Sequence, residues 1–171
     1  MASRELSRVS DQHKQVLDRY LSGGSTKLGQ LASELGVKIK VSSLSTGVSG
    51  QIKNEGSEYV IRVNRHEARE RQRFTIAHEL AHFLLHRDII DSSIDGIKDN
   101  VLYRSGEPER IEYEANRLAA EIVMPMAQVE KALSEDFGGV VTEGTIESLA
   151  ARFQVSKAAM EIRLSTLAPA E

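Results

Sequence analysis

RFTIAHELAHFLLH, residues 73–86, is the stretch from which the rest of the chain is read. Phe74, Ile76, Ala77, Leu80, Ala81, Phe83, Leu84 and Leu85 leave almost no polar side, so a helix over Arg71–His86 is expected to run through the interior rather than along the surface. Three ionisable groups, His78, Glu79 and His82, interrupt that apolar run. Burying them unpaired costs several kcal/mol, a cost that a bound cation removes. His78 and His82 are separated by four positions, hence by one helical turn on one face, and two imidazoles so placed can grip one ion. The glutamate between them then lies beside the open coordination position, where it can take a proton from the attacking water and return it to a leaving amine. His86 does not extend the set. It lies eight residues and about 12 Å of helix beyond His78, whereas metal–nitrogen bonds are about 2.0–2.1 Å. Its ring is expected to meet free carbonyls at the helix C-terminus or to line the cleft.

A third ligand must come from another element, and IEYEANRLAAEIVMP (111–125) offers two carboxylates. The segment predicts a helix over Glu109–Met124, stopped before Pro125. Its apolar face runs through Ile111, Ala115, Leu118, Ala119, Ile122 and Val123, and Glu112 borders that face. Glu114 shares its side with Arg110, Arg117 and Glu121, which reads as a solvated face of ion pairs. Glu112 is therefore favoured, with Glu114 as the alternative. Ala115 and Ala119 are small enough to bring this helix close to the histidine helix, and Asn116 is placed to hydrogen-bond a ligating histidine from behind.

Outward from these two helices the chain reads as α+β, with a small sheet packed against a helical bundle and zinc held between the two helices. An N-terminal helix region occupies residues 1–24, with a helix over Asp11–Leu21. Residues 25–135 are expected to form the core that carries the metal site, a zinc-metallopeptidase core if the His-Glu-x-x-His reading holds. There Ser25 or Thr26 is expected to cap a helix ending at Gly36, followed by strands Val37–Leu44, Gly50–Lys53 and Tyr59–Asn64. Residues 87–108 read as a polar active-site loop or lid, and Pro125 opens a further helix to Leu133. Residues 136–171 carry a helix pair, Ile146–Phe153 and Lys157–Leu167, that looks like a helix-turn-helix packed on the core. The strand Tyr59–Asn64 is a candidate edge for an extended substrate, and Tyr103, His66 and His86 are candidate oxyanion donors.

Composition removes several classes of function. With 22 basic against 25 acidic residues and a formal charge of −3, no electrostatic case for nucleic acid arises. The arginines at 62, 65, 69, 71 and 73 are interleaved with Glu67 and Glu70 and read as a solvated face, open to an acidic partner. In the C-terminal pair Glu147 and Glu161 offset Lys157 and Arg163, so direct nucleic-acid binding is not expected. The absence of cysteine excludes disulfides, thiol catalysis and cysteine-ligated zinc. MASRELSRVSDQHKQ contains no apolar core of a secretory signal, and no stretch approaches the roughly 18 apolar residues of a membrane span. A cytoplasmic location is expected.

RFTIAHELAHFLLH (73–86) together with EYEANRLAAEIVMP (112–125) closely resembles the ImmA/IrrE family of metallo-endopeptidases, and YVIRVN (59–64) and SLAARFQVSKAAMEIRL (148–164) fit the same pattern. The resemblance extends from about Leu28 onward. It implies His78 and His82 as zinc ligands, Glu79 as catalytic acid/base and Glu112 as third ligand, with manganese a possible alternative ion. It also implies a substrate, a helix-turn-helix transcriptional repressor whose cleavage relieves repression in mobile-element, prophage or stress control. Two rival readings are a non-proteolytic transcriptional regulator that keeps the metal for structure, and a toxin–antitoxin component.

Overall fold

A computed structural model describes residues 4–100 and 109–167. After a single 3-10 turn at Leu6–Arg8 come α1 (Asp11–Tyr20), α2 (Leu28–Glu34), β1 (Val37–Ser42), β2 (Val48–Glu55), β3 (Glu58–Asn64) and α3 (Arg69–Leu85). The second half contains α4 (Arg87–Asp91), β4 (Ile97–Asn100), α5 (Glu109–Val123), α6 (Met126–Phe137), α7 (Glu143–Phe153) and α8 (Lys157–Ser165). The architecture is α+β, and the sheet is mixed. Its strand order is β1-β3-β2-β4, with β1 parallel to β3 and the other two pairings antiparallel.

The β2–β3 hairpin turns on Gly56-Ser57, between the facing pair Glu55 and Glu58. Gly56 has φ 76° while Ser57 does not take positive φ, the pattern of a two-residue turn with glycine at its first position. In β2 and β3, Ile52, Ile61 and Val63 are fully or almost fully buried. Ile52 and Ile61 lie in the hydrophobic core that also holds α3. Gly50 of β2 is where the helix comes closest. A Cβ there would overlap the Thr75 methyl group and lie 3.0 Å from the Arg62 carbonyl oxygen, so only glycine lets α3 settle at this depth.

The interior expected for α3 is what the structure shows: every residue from Ala77 to Leu84 is buried. Its partner in the core is α5, and Ala77 and Ala81 of α3 and Ala115 and Ala119 of α5 are all at 0% exposure. The same core takes in Leu17 of α1, Leu31 of α2, Val129 of α6, Leu149 and Phe153 of α7, and Met160 and Leu164 of α8.

Three expectations are corrected. Thr26 does not cap α2, whose first turn has no side-chain cap. Its hydroxyl instead donates to the Ile122 carbonyl at 2.6 Å, and Arg73 donates to its carbonyl oxygen at 2.9 Å, so Thr26 ties α3 and α5 together. Residues 87–100 are not a loop but hold α4 and β4, with Ile90 and Ile97 buried in the core. Scattered apolar residues in a polar segment concealed both elements. Tyr59–Asn64 falls in β3, which is flanked on both sides by β1 and β2, so it offers no free edge to a substrate. Among the described residues, the outer strand that contacts α3 is β4. In α8, Met160 and Leu164 are buried and Ala159 packs against the core, while Ile162 is 68% exposed.

Candidate metal centre

The two histidines of α3 project from adjacent turns with ring centroids 4.7 Å apart and their Nε2 atoms 3.2 Å apart. Facing them from α5, Glu112 places Oε2 3.0 Å from His78 Nε2 and Oε1 3.1 Å from His82 Nε2. Thus His78, His82 and Glu112 offer ligand atoms lying within 4.8 Å of one another. Behind His78, Nδ1 lies 2.8 Å from Asn116 Oδ1, the position expected for a residue that holds the ring in one tautomer. Glu79 is at 0% exposure, and neither of its oxygens has a hydrogen-bond partner of normal geometry.

The charges fit a cation. Burial opposes protonation of His78, but the hydrogen bond with Glu112 and the negative charges of Glu79, Asp99 and Glu112 outweigh it and lift the imidazole to about 9. Burial, opposed by the Glu112 hydrogen bond and assisted by the positive charge on His78, takes His82 down to about 4. Burial would raise Glu112, yet hydrogen bonds from both histidines hold its carboxyl well below the usual range. Glu79 moves the other way: burial, together with Asp99 and Glu112, pushes its carboxyl well above the ordinary value against the pull of His78. Two imidazole nitrogens and a carboxylate aimed at one point, with an unpaired buried carboxylate beside them, form a donor set that suits a tetrahedral divalent ion with one position open.

Two parts of this surrounding were not foreseen. Asp99, on β4, brings a carboxylate within 4.8 Å of the His78 and Glu79 atoms. Nothing in the local sequence IKDN distinguishes it, because its role depends on β4 pairing with β2. Glu114 was expected in solvent, but its side chain is 14% exposed and binds His86 and Arg8. The neighbouring Glu121, also expected there, is buried and paired with Arg163. Of the candidate oxyanion donors, His66 is exposed and lies by Ser43, 3.2 Å from its hydroxyl. His86 points to Glu114, and Tyr103 lies outside the described residues.

A His-Glu-x-x-His helix with a carboxylate supplied from a following helix is the site architecture of a class of metallopeptidases. Residues 32–165 match the peptidase M78 family model, described as the IrrE N-terminal-like domain, and the chain belongs to that family. Among solved structures, a Mycobacterium tuberculosis transcriptional regulator shares the fold, with a TM-score of 0.61 and 17% sequence identity over 96% of this chain. This chain spans about half of that one, 49% of its length. No curated protein gives a match.

Proposed function

We propose that this protein is a zinc-dependent endopeptidase, acting in the cytoplasm on a helix-turn-helix transcriptional repressor whose cleavage relieves repression. The observation that carries the reading is the convergence of His78 Nε2, His82 Nε2 and the Glu112 carboxylate beside the buried, unpaired Glu79. A divalent ion held by the three would supply Lewis acidity, polarising a scissile carbonyl and making water a better nucleophile. Two imidazoles and one carboxylate suit zinc, whereas manganese favours sites richer in oxygen.

Glu79 is the acid/base. Its carboxylate accepts the proton of the attacking water and passes it to the departing amine nitrogen, and its elevated affinity for protons matches that double task. Glu112 and Asn116 keep the two rings turned inward. β4 is an outer strand of the sheet among the described residues and can take an extended peptide as an added strand, and Asp99 of that strand has a carboxylate close to Glu79. Support for a repressor as substrate comes from the family and from the regulator of like fold.

That neighbour's description also favours a second reading, a non-proteolytic regulator that binds nucleic acid and keeps the metal for structure. Against it, Arg163 of α8 is turned inward to the Met124 carbonyl and Glu121, and Lys157 is engaged by Glu143 and Glu147. One experiment separates the two. The protein is incubated with the helix-turn-helix protein encoded beside it, with and without chelator, in the native form and as Glu79→Gln. A discrete cleavage lost with chelator and reduced about 100-fold or more in Glu79→Gln supports the peptidase. Regulation that persists unchanged in Glu79→Gln, with no cleavage, supports the rival. Rapid degradation of casein would mark a broad peptidase and remove the repressor.

A further inference from the structure

The two histidines of the site are supported from behind in different ways. His78 has a neutral amide, Asn116, within hydrogen-bond distance. The Nδ1 of His82 lies 2.9 Å from Nδ1 of His86, and the far nitrogen of His86, Nε2, lies 3.0 Å from Glu114 Oε1. The other oxygen of that carboxylate pairs with the Arg8 guanidinium, from the 3-10 turn that precedes α1. His82 is at 0% exposure and His86 at 5%, so these rings have little solvent to satisfy them.

Only one order of protons satisfies every member of this run once Nε2 of His82 serves a cation. That nitrogen is then bare, so the His82 proton resides on Nδ1 and is donated to His86. His86 must accept at Nδ1, which places its own proton on Nε2, aimed at Glu114. The carboxylate only accepts, and Arg8 only donates. No donor is left over in this run.

From this run we infer that His86 and Glu114, braced by Arg8, are positioning residues for His82: they fix its tautomer, hold its ring and make its Nε2 a better donor to the cation. The inference rests on the metal reading given above. It also gives roles to two residues that do not join the ligand set. His86 lies too far along the helix to share an ion with His78, and its distance along α3 is what lets it stand behind His82. Glu114, two positions from Glu112, projects to a different side of α5 and so reaches the back of the site. Because Arg8 lies 106 residues from Glu114 in sequence, the grip on the ion depends on how the N-terminal turn docks.

The test reads metal affinity and ligand field rather than turnover. Zinc affinity is measured by competition with a chromophoric chelator, and the visible absorption of the cobalt-substituted protein is recorded, for His86→Ala, Glu114→Gln, Arg8→Ala and the double variant His86→Ala/Glu114→Gln. Loss of such outer support costs about 10–100-fold in metal affinity. His86→Ala should show that loss with an altered cobalt band, Glu114→Gln a smaller one and Arg8→Ala the smallest. The double variant should be no weaker than His86→Ala alone, because Glu114 acts through His86. His86→Gln, which offers both an acceptor and a donor, should recover part of the affinity. Native affinity and an unchanged cobalt spectrum in folded His86→Ala would overturn the inference, and so would additive losses in the double variant. If His86→Ala does not fold, Glu114→Gln and Arg8→Ala decide by the same two readouts. Failure of the native protein to bind zinc or cobalt at all would instead remove the metal reading, and this inference with it.

Discussion

His78 and His82 are alike in sequence and unlike in surroundings. Asn116 is classed among the exposed residues of α5, yet its Oδ1 is 2.8 Å from His78 Nδ1. Asn116→Ala removes the acceptor beside that nitrogen without opening the core, so zinc affinity should fall about 10–100-fold while the melting temperature of the metal-free protein barely changes. A competition titration on folded Asn116→Ala showing native affinity would remove Asn116 from the site. Loss of Glu112 is more severe. Glu112→Ala leaves two imidazoles to hold the ion and should abolish stoichiometric binding, whereas Glu114→Ala should only weaken it. The reverse order would transfer the ligand role to Glu114. How far these residues could be read in advance follows from the range of their contacts. The i, i+4 histidines, Glu112 and Asn116 are set by helical periodicity and can be placed from sequence. The partners of Glu114 cannot, since one of them is Arg8 at the far end of the chain, and Asp99 gains its place from strand pairing.

Between elements, the depth at which α3 lies on the sheet depends on Gly50. Gly50→Ala would drive a methyl group into Thr75 and against the Arg62 carbonyl, one turn from His78 and Glu79. Overpacking of this kind costs about 1–3 kcal/mol, and the displaced helix should also bind metal less well. Thr75→Ser added to Gly50→Ala removes the overlapping methyl and should restore part of both losses; chemical denaturation and zinc titration of the pair check this. A second latch joins α8 to α5, where Arg163 donates to the Met124 carbonyl at 2.9 Å and pairs with Glu121, both side chains nearly buried. Arg163→Ala strands a buried carboxylate and should destabilise by about 3 kcal/mol at neutral pH. Burial, opposed by Arg163, already holds Glu121 above its ordinary value of 4.5. A carboxyl raised in the folded state contributes fully below its unfolded value, and that contribution is lost as pH rises through the folded one. Without Arg163 the folded value rises further, so the cost of Arg163→Ala should shrink as pH falls from 7 toward 4. A cost independent of pH would mean that Glu121 is not the group left stranded. The longer helices and the β2–β3 hairpin are legible because periodicity and a glycine turn are local signals, whereas the five-residue α4 is not. The strand order β1-β3-β2-β4 is not, since the parallel pairing of β1 with β3 joins strands that are not consecutive in the chain. β3 is therefore only a candidate edge by sequence and a central strand in the fold.

Taken as one body, the molecule has its candidate ligands on two helices, α3 and α5, which are joined without an ion by the His78–Asn116 and His86–Glu114 contacts and by Thr26. An ion held by His78 and His82 from one helix and Glu112 from the other would cross-link them in the folded chain only, because the unfolded chain does not hold Glu112 near the histidines. Folding and binding must then be linked: a ligand present at 100 times its dissociation constant stabilises by about 2.7 kcal/mol. For a chain of this length each kcal/mol moves the melting temperature by about 2–4 °C, so saturating zinc should raise it by about 5–10 °C over the chelated protein. Glu79→Gln should keep the whole shift, since it removes a proton acceptor and no ligand. Glu112→Ala should lose nearly all of it, and His86→Ala should show a reduced shift at the same zinc concentration. Scanning calorimetry of the four proteins, each with chelator and with zinc, provides the comparison. Equal melting temperatures for zinc-loaded and chelated native protein would show that no ion bridges α3 and α5, and a full shift in Glu112→Ala would show that the ion sits elsewhere.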